Sequence, residues 1–213
     1  MEVVRLEVGP LMANAYLIRD ARSGDGAIVD PGGDAPAIVR RCEAERLTPV
    51  YIVNTHAHAD HIGANAALKE RFPDAKLCIG APDAERLADP IGNLTAAFGS
   101  AEESPAPDLR LEGAEELCFG SVVLEVLMTP GHTPGAISLL AREERPPQLF
   151  CGDLIFRRGL GRVDLPGGDL EAMKASIKEK VFSLPPGTVI WPGHGGRTTV
   201  GEERRNNPFL RGL

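Results

Sequence analysis

Short apolar runs alternate along the chain with longer stretches in which apolar and charged residues are mixed. The short runs are rich in Val and Ile and have the length of strands. They predict strands at 3–8, 15–18, 27–29, 50–53, 76–79, 122–127, 136–140, 149–151 and 188–191. The mixed stretches repeat their apolar residues at roughly helical spacing, which predicts helices at 36–46, 61–71, 83–88, 169–181 and 200–206.

Strands and helices occur in both halves of the chain, a pattern typical of a layered α/β protein with sheets packed together and helices outside. The 213 residues fit a single folded unit, and we expect one domain over 1–213. The stretch 89–107 contains several prolines and glycines without clear periodicity, so it is predicted to form a long loop or lid.

Composition and charge exclude several classes of protein. A net charge of -7 disfavours binding to nucleic acid, which normally requires a basic surface. Because there is no run of about eighteen apolar residues and no basic segment leading into an apolar one at the N-terminus, we expect no membrane span, no signal peptide and a cytoplasmic location. The four cysteines form no CxxC pair, so reduced and buried thiols are expected at Cys42, Cys78, Cys118 and Cys151.

The five histidines carry the strongest functional signal. They lie in NTHAHADH (54–61), PGHTPG (130–135) and PGHGG (192–196), each after a strand-like run. His56 and His58 are two residues apart, so in an extended segment both rings project to the same side and can bind one ion. Asp60 and His61 follow where a helix should begin, and we expect them to face a neighbouring position. The positive end of that helix is expected to keep His61 neutral.

Three further residues complete a set of metal donors. His132 and His194 each lie in a glycine-flanked turn, where the backbone can approach an ion closely. Asp153 ends a strand in the apolar setting FCGDLIF, where a buried carboxylate needs cationic partners. Imidazoles and carboxylates without thiolates suit zinc first, and also iron or manganese. Seven donors suit two divalent ions about 3.5–4 Å apart, which share a bridging water of lowered pKa.

These residues resemble the metallo-β-lactamase superfamily, whose HxHxDH signature is matched without a gap at 56–61. The resemblance implies an αββα sandwich of two mixed β-sheets with helices on both outer faces. It also implies a division of the ligands between the two ions: His56, His58 and His132 for the first, Asp60, His61 and His194 for the second, and Asp153 between them.

Within that superfamily the chain is similar to the short glyoxalase II-type hydrolases, which cleave S-acyl glutathione thioesters such as lactoylglutathione. The similarity lies in ANAYLI, NLTAAFG, GDLIFRRGLGRVDLPGGD and GHGGRTTVGEERRNNPFL. Full-length enzymes of this type carry an additional helical domain that supplies basic residues to glutathione, whereas 19 residues follow His194 here. The arginines at 197, 204 and 205 are expected to be solvated rather than to bind a substrate carboxylate.

Other polar residues of these motifs are interpreted as structural. Arg162 and Asp164 are expected to pair within the loop that follows Asp153. Asn14 and Asn65 are interpreted as turn or cap residues. No residue is assigned to substrate binding from the sequence.

The resemblance implies a dinuclear hydrolase in which a metal-bridging hydroxide attacks a small-molecule thioester and Asp60 orients that hydroxide. The leaving thiolate is weakly basic, with a thiol pKa of about 8.5, so no general acid is required. Two alternatives stay open. A mononuclear-iron glutathione persulfide dioxygenase has an RTD-containing loop that resembles GRVD at 161–164, and a lactone or β-lactam hydrolase shares the HxHxDH signature.

Overall fold

A computed structural model of the protein describes residues 1–98 and 104–213, with strands in two six-stranded sheets. The first sheet has the order β1 (Glu2–Val8), β2 (Ala13–Arg19), β3 (Asp25–Val29), β4 (Thr48–Asn54), β5 (Lys76–Gly80) and β6 (Leu109–Leu111). The first three strands pair antiparallel, and the pairs from β3 to β6 are parallel. β2 and β3 are buried along nearly their whole length, as strands covered on both faces should be.

The second half of the chain builds the other sheet and a small hairpin. Its strands are β7 (Glu116–Phe119), β8 (Val122–Met128), β9 (Ile137–Ala141), β10 (Gln148–Gly152), β11 (Ile155–Phe156), β12 (Gly159–Leu160), β13 (Val189–Pro192) and β14 (Thr198–Thr199). The sheet order is β14-β13-β10-β9-β8-β7, in which β10 and β13 are parallel. β11 and β12 form the separate hairpin.

Helices cover the outer faces of both sheets. The α-helices of the described residues are α1 (Ala35–Ala44), α2 (Ala59–Ile62), α3 (Asn65–Arg71), α4 (Thr95–Phe98), α5 (Leu170–Ser176) and α6 (Val200–Asn206). A π-helical turn, Ile177–Val181, extends α5, and 3-10 helices lie at Ala81–Ala88 and Pro208–Leu210. Within the described residues, no helix combines the length and the hydropathy that a membrane span requires.

Three apolar clusters fill the spaces between these layers. The first joins α1 and α3 to the first sheet through Ile38 and Leu68. The second fills the space between the sheets around Tyr16 and Phe150, whose rings meet edge to face at 5.3 Å. The third packs α5 and α6 on the second sheet through residues such as Met173. The predicted αββα sandwich of two mixed sheets is therefore confirmed.

One predicted helix is divided in the structure. Residues 61–71 were expected to form a single helix, but α2 ends at Ile62 and α3 begins at Asn65. The break arises because the Ala64 N–H donates to the Pro31 carbonyl instead of continuing the helix. Gly63 also lies so close to the Gly32 carbonyl that a Cβ would fall 2.6 Å from that oxygen.

Two other predictions need correction. Part of the loop predicted over 89–107 is the short helix α4, and residues 99–103 of it lie outside the described part of the chain. Cys118, predicted to be buried, is exposed, whereas the other three cysteines are buried. On β7 the side chains of Leu117 and Phe119 face the core, so Cys118 between them faces outward.

Asp20, directly after β2, links the two sheets. Its carboxylate accepts hydrogen bonds from the backbone N–H groups of Ser121, in the turn between β7 and β8, and of Arg22. These hydrogen bonds, that of Ser121 first, lower the pKa of Asp20 to about 2. A carboxyl whose pKa is lowered on folding stabilises the fold above its ordinary pKa of 3.8, and this contribution disappears as the pH falls toward about 2.

We expect Asp20→Asn to destabilise the fold at pH 7, because the amide offers only one acceptor oxygen for two N–H donors. The difference in urea midpoint between wild type and variant should narrow as the pH falls from about 4 to about 2. Asp74→Asn, at an exposed position, is the matched control. A difference that stays constant over this pH range would contradict the role of the carboxylate.

Candidate metal centre

Four strand ends position the seven residues selected from the sequence. β4 ends at Asn54, just before His56, and β8 precedes the turn that carries His132. Asp153 follows β10 directly, and His194 follows β13. The first strand belongs to one sheet and the other three to the second, so the residues meet only where the two sheets face each other.

The structure brings these side chains into three overlapping groups, in each of which the potential ligand atoms lie within 4.8 Å of one another. The groups are His56, His58 and His132; His56, His61 and Asp153; and Asp60, His61 and His194. Which ion each group would hold stays a prediction. All seven residues predicted as metal ligands nevertheless lie in one cluster.

Asp153 lies at the centre of the cluster. Its Oδ1 is 3.5 Å from His61 Nε2, and its Oδ2 is 3.7 Å from both His132 Nε2 and His194 Nε2. Asp60 lies to one side, with its Oδ2 3.2 Å from His194 Nε2. His194 is the most exposed member, with 28% of its side chain accessible, so the cluster opens to solvent on its side.

The hydrogen bonding of the cluster tests whether metal ions fit it. Five of the seven buried side-chain atoms without a hydrogen-bond partner in the described residues belong to it: His56 Nε2, His58 Nε2, both ring nitrogens of His61, and Asp153 Oδ1. A buried polar atom without a partner costs about 1–3 kcal/mol. His58 Nδ1 and His132 Nε2 also face each other at 2.8 Å. Divalent cations would satisfy His56 Nε2, His61 Nε2 and Asp153 Oδ1, and would bind between His58 Nδ1 and His132 Nε2, so the residues fit metal ions.

Neighbouring groups fix the orientation of three imidazole rings. His56 Nδ1 lies 3.1 Å from the Thr55 hydroxyl, and His132 Nδ1 lies 2.6 Å from the carbonyl oxygen of Arg162. His61 Nδ1 lies 3.1 Å from Asp30 Oδ2. In each ring the outward nitrogen faces a fixed oxygen, which turns Nε2 toward the cluster, as in protein metal sites.

The surroundings of the histidines shift the pKa of His61 in the opposite direction from those of His56 and His58. Burial, helped by the charges of neighbouring histidines, holds the pKa of His56 well below its ordinary value and lowers the pKa of His58 to about 3. Both rings are therefore neutral and ready to bind metal. Burial also disfavours charge on His61, but the carboxylates of Asp153, Asp30 and Asp60 outweigh it and raise the pKa of His61 to about 10.

One interpretation of the HxHxDH segment needs correction. His61 was expected to be neutral at the positive end of a helix, but in the absence of metal the three carboxylates around it favour the imidazolium. The helix dipole is weak here because α2 has only four residues. The N-cap position of α2 is His58, so Asp60 does not cap this helix, which agrees with its assignment to the donor cluster. Burial disfavours charge on Asp60, yet His61 and His194 keep its pKa below the ordinary value.

Two buried aspartates of the centre were missed in the sequence. Asp30 follows β3, and its carboxylate accepts hydrogen bonds from the Thr55 N–H and hydroxyl, at 2.7 Å each. Asp83 accepts from the Ala57 N–H, the Thr133 hydroxyl and the Gly135 N–H, and so joins the two loops that carry the first donor group. The signal that identified Asp153, a carboxylate at a strand end, was also present in AIVDPGG.

Of the remaining structural interpretations, two are confirmed and two are wrong. Arg162 and Asp164 form the expected pair, with hydrogen bonds of 2.9 and 2.8 Å. Asn14 is not a turn residue, because it is buried in β2 and its amide donates to the carbonyls of Pro192 and Gly195, on either side of His194. Asn65 is not a cap, since its amide donates to Asn54 and Ser104. The arginines at 197, 204 and 205 are exposed, as expected.

Asp30→Asn should weaken metal binding, because it replaces a charged partner of His61 and removes an acceptor from Thr55. Substitution of such orienting groups typically lowers metal affinity by about 10–100-fold. Competition with a chelator measures the change, and Asp74→Asn, an exposed aspartate, is the control. Unchanged affinity in Asp30→Asn, with an unchanged fold, would show that Asp30 has no role in orienting His61.

Comparison with known proteins identifies the family. A profile of the metallo-beta-lactamase superfamily matches residues 8–194, which includes every residue of the cluster. The chain is 40% identical to the probable metallo-hydrolase YqgX of Bacillus subtilis, over 98% of this chain and 97% of that protein. It is 36% identical to hydroxyacylglutathione hydrolase GloC of Haemophilus influenzae, with 97% and 98% covered. Human mitochondrial persulfide dioxygenase ETHE1 is 32% identical, with 92% and 70% covered.

Solved structures show the same fold at high similarity. The B3 metallo-beta-lactamase BLEG-1 superimposes with a TM-score of 0.92 at 36% identity, with 99% of this chain and 100% of that chain covered. TTHA1623 in a di-iron-bound form gives a TM-score of 0.86 at 39% identity, with 98% and 100% covered. From its sequence, its fold and its histidine-rich metal site, the chain belongs to the metallo-beta-lactamase superfamily and is a metal-dependent hydrolase.

Proposed function

We propose that the protein hydrolyses thioesters with two divalent metal ions, and that its substrate is an S-acyl glutathione such as lactoylglutathione. The observation that carries the proposal is the position of Asp153, whose carboxylate faces His61 on one side and His132 on the other. A carboxylate between two donor groups suits two ions held close together. Similarity to hydroxyacylglutathione hydrolase GloC over nearly the whole chain supports a thioester as the substrate.

Zinc is the first candidate for both ions. The donors are imidazole and carboxylate groups with no thiolate, which suits zinc and also suits iron or manganese. Iron is the second candidate, because TTHA1623 has been crystallised in a di-iron-bound form. Metal analysis of the protein purified from cells distinguishes these candidates.

When bound, the ions would polarise the thioester carbonyl and lower the pKa of a water toward neutrality. The protein's own contribution is to orient the reactants. Asp60, a carboxylate of lowered pKa at the side of the cluster near the exposed His194, is placed to accept a hydrogen bond from the attacking water. The leaving thiolate needs no protonation, since its conjugate acid has a pKa of about 8.5. This agrees with the engagement of all five histidines in the donor groups.

Oxidation of a glutathione persulfide at a single iron is the alternative that a specific comparison favours, because the chain is 32% identical to human persulfide dioxygenase ETHE1. Lactone or β-lactam hydrolysis is a further outcome to test, given the similarity to the metallo-beta-lactamase BLEG-1. The three activities differ in metal stoichiometry, oxygen consumption and product.

The deciding experiment measures three quantities on one preparation: metal content, thiol release from lactoylglutathione, and oxygen uptake with glutathione persulfide. We expect about two ions per chain, thiol release, and no oxygen uptake. One iron per chain with oxygen uptake would overturn the hydrolase in favour of the dioxygenase. Cleavage of a lactone or β-lactam without thiol release would reject the thioester substrate alone.

Asp60→Asn should lower kcat by about 100-fold or more, the size of effect expected when a reactant is misplaced by about 1 Å. The amide is a weaker acceptor for the attacking water and carries no charge to balance His61 and His194. Metal content, measured alongside turnover, separates a loss of ions from a loss of catalysis. The assignment of Asp60 is wrong if the variant retains full turnover and full metal content.

A further inference from the structure

A cavity of about 360 Å³ adjoins the metal centre and has no role in the chemistry described above. It lies between the turn that joins β1 to β2, the segment 32–36, and the helices α2 and α3. Its volume falls in the range of about 300–1,000 Å³ that is usual for small-molecule sites. Asp60 forms part of its wall, so a group bound in the cavity lies directly beside the centre.

The wall of the cavity is largely apolar. Leu11, Ile62, Ala66 and Ala67 contribute to it, and Leu11 remains 44% exposed at the turn between β1 and β2. A large apolar side chain exposed beside a cavity gains stabilisation when an apolar ligand group covers it.

The polar groups of the wall are already engaged. The Ser104 hydroxyl accepts a hydrogen bond from Asn65 at 2.8 Å, and the Thr95 hydroxyl donates to Asn93 at 2.7 Å. Asp34 accepts from the Gly9 N–H at 2.8 Å. These groups therefore offer little to a polar ligand.

The charges of the wall are all negative. Asp34 and Asp60 are its only ionisable residues, and no Lys, Arg or His lines it in the described part of the chain. The carbonyl carbon of a thioester carries an acyl group on one side and a thiol portion on the other. In an S-acyl glutathione the thiol portion carries two carboxylates and an ammonium, and a largely apolar wall offers these charges no compensating partners.

We propose, on the basis of the thioester hydrolysis proposed above, that this cavity binds the acyl group and selects uncharged aliphatic acyl chains. The glutathione portion then lies outside the cavity. Acyl groups that end in a carboxylate are disfavoured, because the apolar wall offers that charge no partner. The acyl chain, rather than the thiol, is accordingly the part of the substrate that the described cavity recognises.

The test uses one thiol and varies only the acyl group: S-acetyl, S-butyryl, S-hexanoyl and S-succinyl glutathione with the metal-loaded protein. We expect kcat/KM to rise by about two- to fourfold for each added methylene until the cavity is filled, since each buried methylene contributes about a fourfold factor at most. S-succinyl glutathione should be at least about tenfold poorer than S-butyryl glutathione, which has the same chain length but no charge.

Ala67→Leu provides the matched structural test, because Ala67 lines the cavity from an exposed position of α3. The larger side chain should reduce kcat/KM for S-hexanoyl glutathione by about tenfold or more and leave S-acetyl glutathione within about twofold. Ala66→Leu, on the same wall, is a second variant with the same expectation. Ala175→Leu, exposed on the opposite face of the sandwich near the end of α5, should change neither.

The outcomes separate the two proposals. Cleavage of every thioester at similar rates, or an equal loss for all acyl groups in Ala67→Leu, would overturn the cavity as the acyl site and leave thioester hydrolysis intact. A preference for S-succinyl over S-butyryl glutathione would overturn it in the same way. If the wild-type protein cleaves no member of the series, the proposed function fails and the acyl site fails with it.

Discussion

Three carboxylates surround the fully buried imidazole of His61, and the metal centre depends on how their charge is balanced. Buried anions are strongly unfavourable unless cations or hydrogen bonds compensate them. Without metal, a proton on His61 compensates part of this charge. Two divalent ions would compensate more of it and would satisfy His56 Nε2, which has no other partner. The buried negative charge and the unpartnered atoms together suit the cluster to binding cations.

The metal centre also depends on the packing of the two sheets against each other. The segment from His56 to His61 follows a strand of the first sheet, whereas Asp153 and His194 follow strands of the second. Hydrogen bonds between these loops hold them in register: Asn14 and Tyr16 bind the Pro192 carbonyl, and Asp83 joins the loops of His56 and His132. The donors can therefore converge only after both sheets have packed on the apolar layer around Phe150.

The sequence predicts features that depend on the residues of one segment. It does not predict features that depend on contact with backbone far away in the sequence. β-Branched runs identified the central strands, and α6 was predicted at its exact bounds. The seven donors were identified because all five histidines of the chain lie in short motifs with glycine or aspartate that follow strand-like runs. The break before α3 was not predictable, since it depends on the backbone of Pro31 and Gly32. β6 and β14 have two or three residues each, too few for a periodic pattern. The charge state of His61 depends on Asp30, whose distance from the ring only the fold reveals.

The donor set determines that the site binds metal, but it determines neither the substrate nor the reaction by itself. A hydrolase and a persulfide dioxygenase are both relatives of this chain at more than 30% identity over at least 92% of its length. The inner donors are enclosed, with His56, His58 and His61 at most 2% exposed, so they have little surface left with which to distinguish one substrate from another. Selection must then come from surfaces that border the centre without binding metal, such as the turn between β1 and β2 and the wall formed by α3. Because these surfaces belong to loops and helix faces outside the core, they can change without altering the chemistry of the cluster.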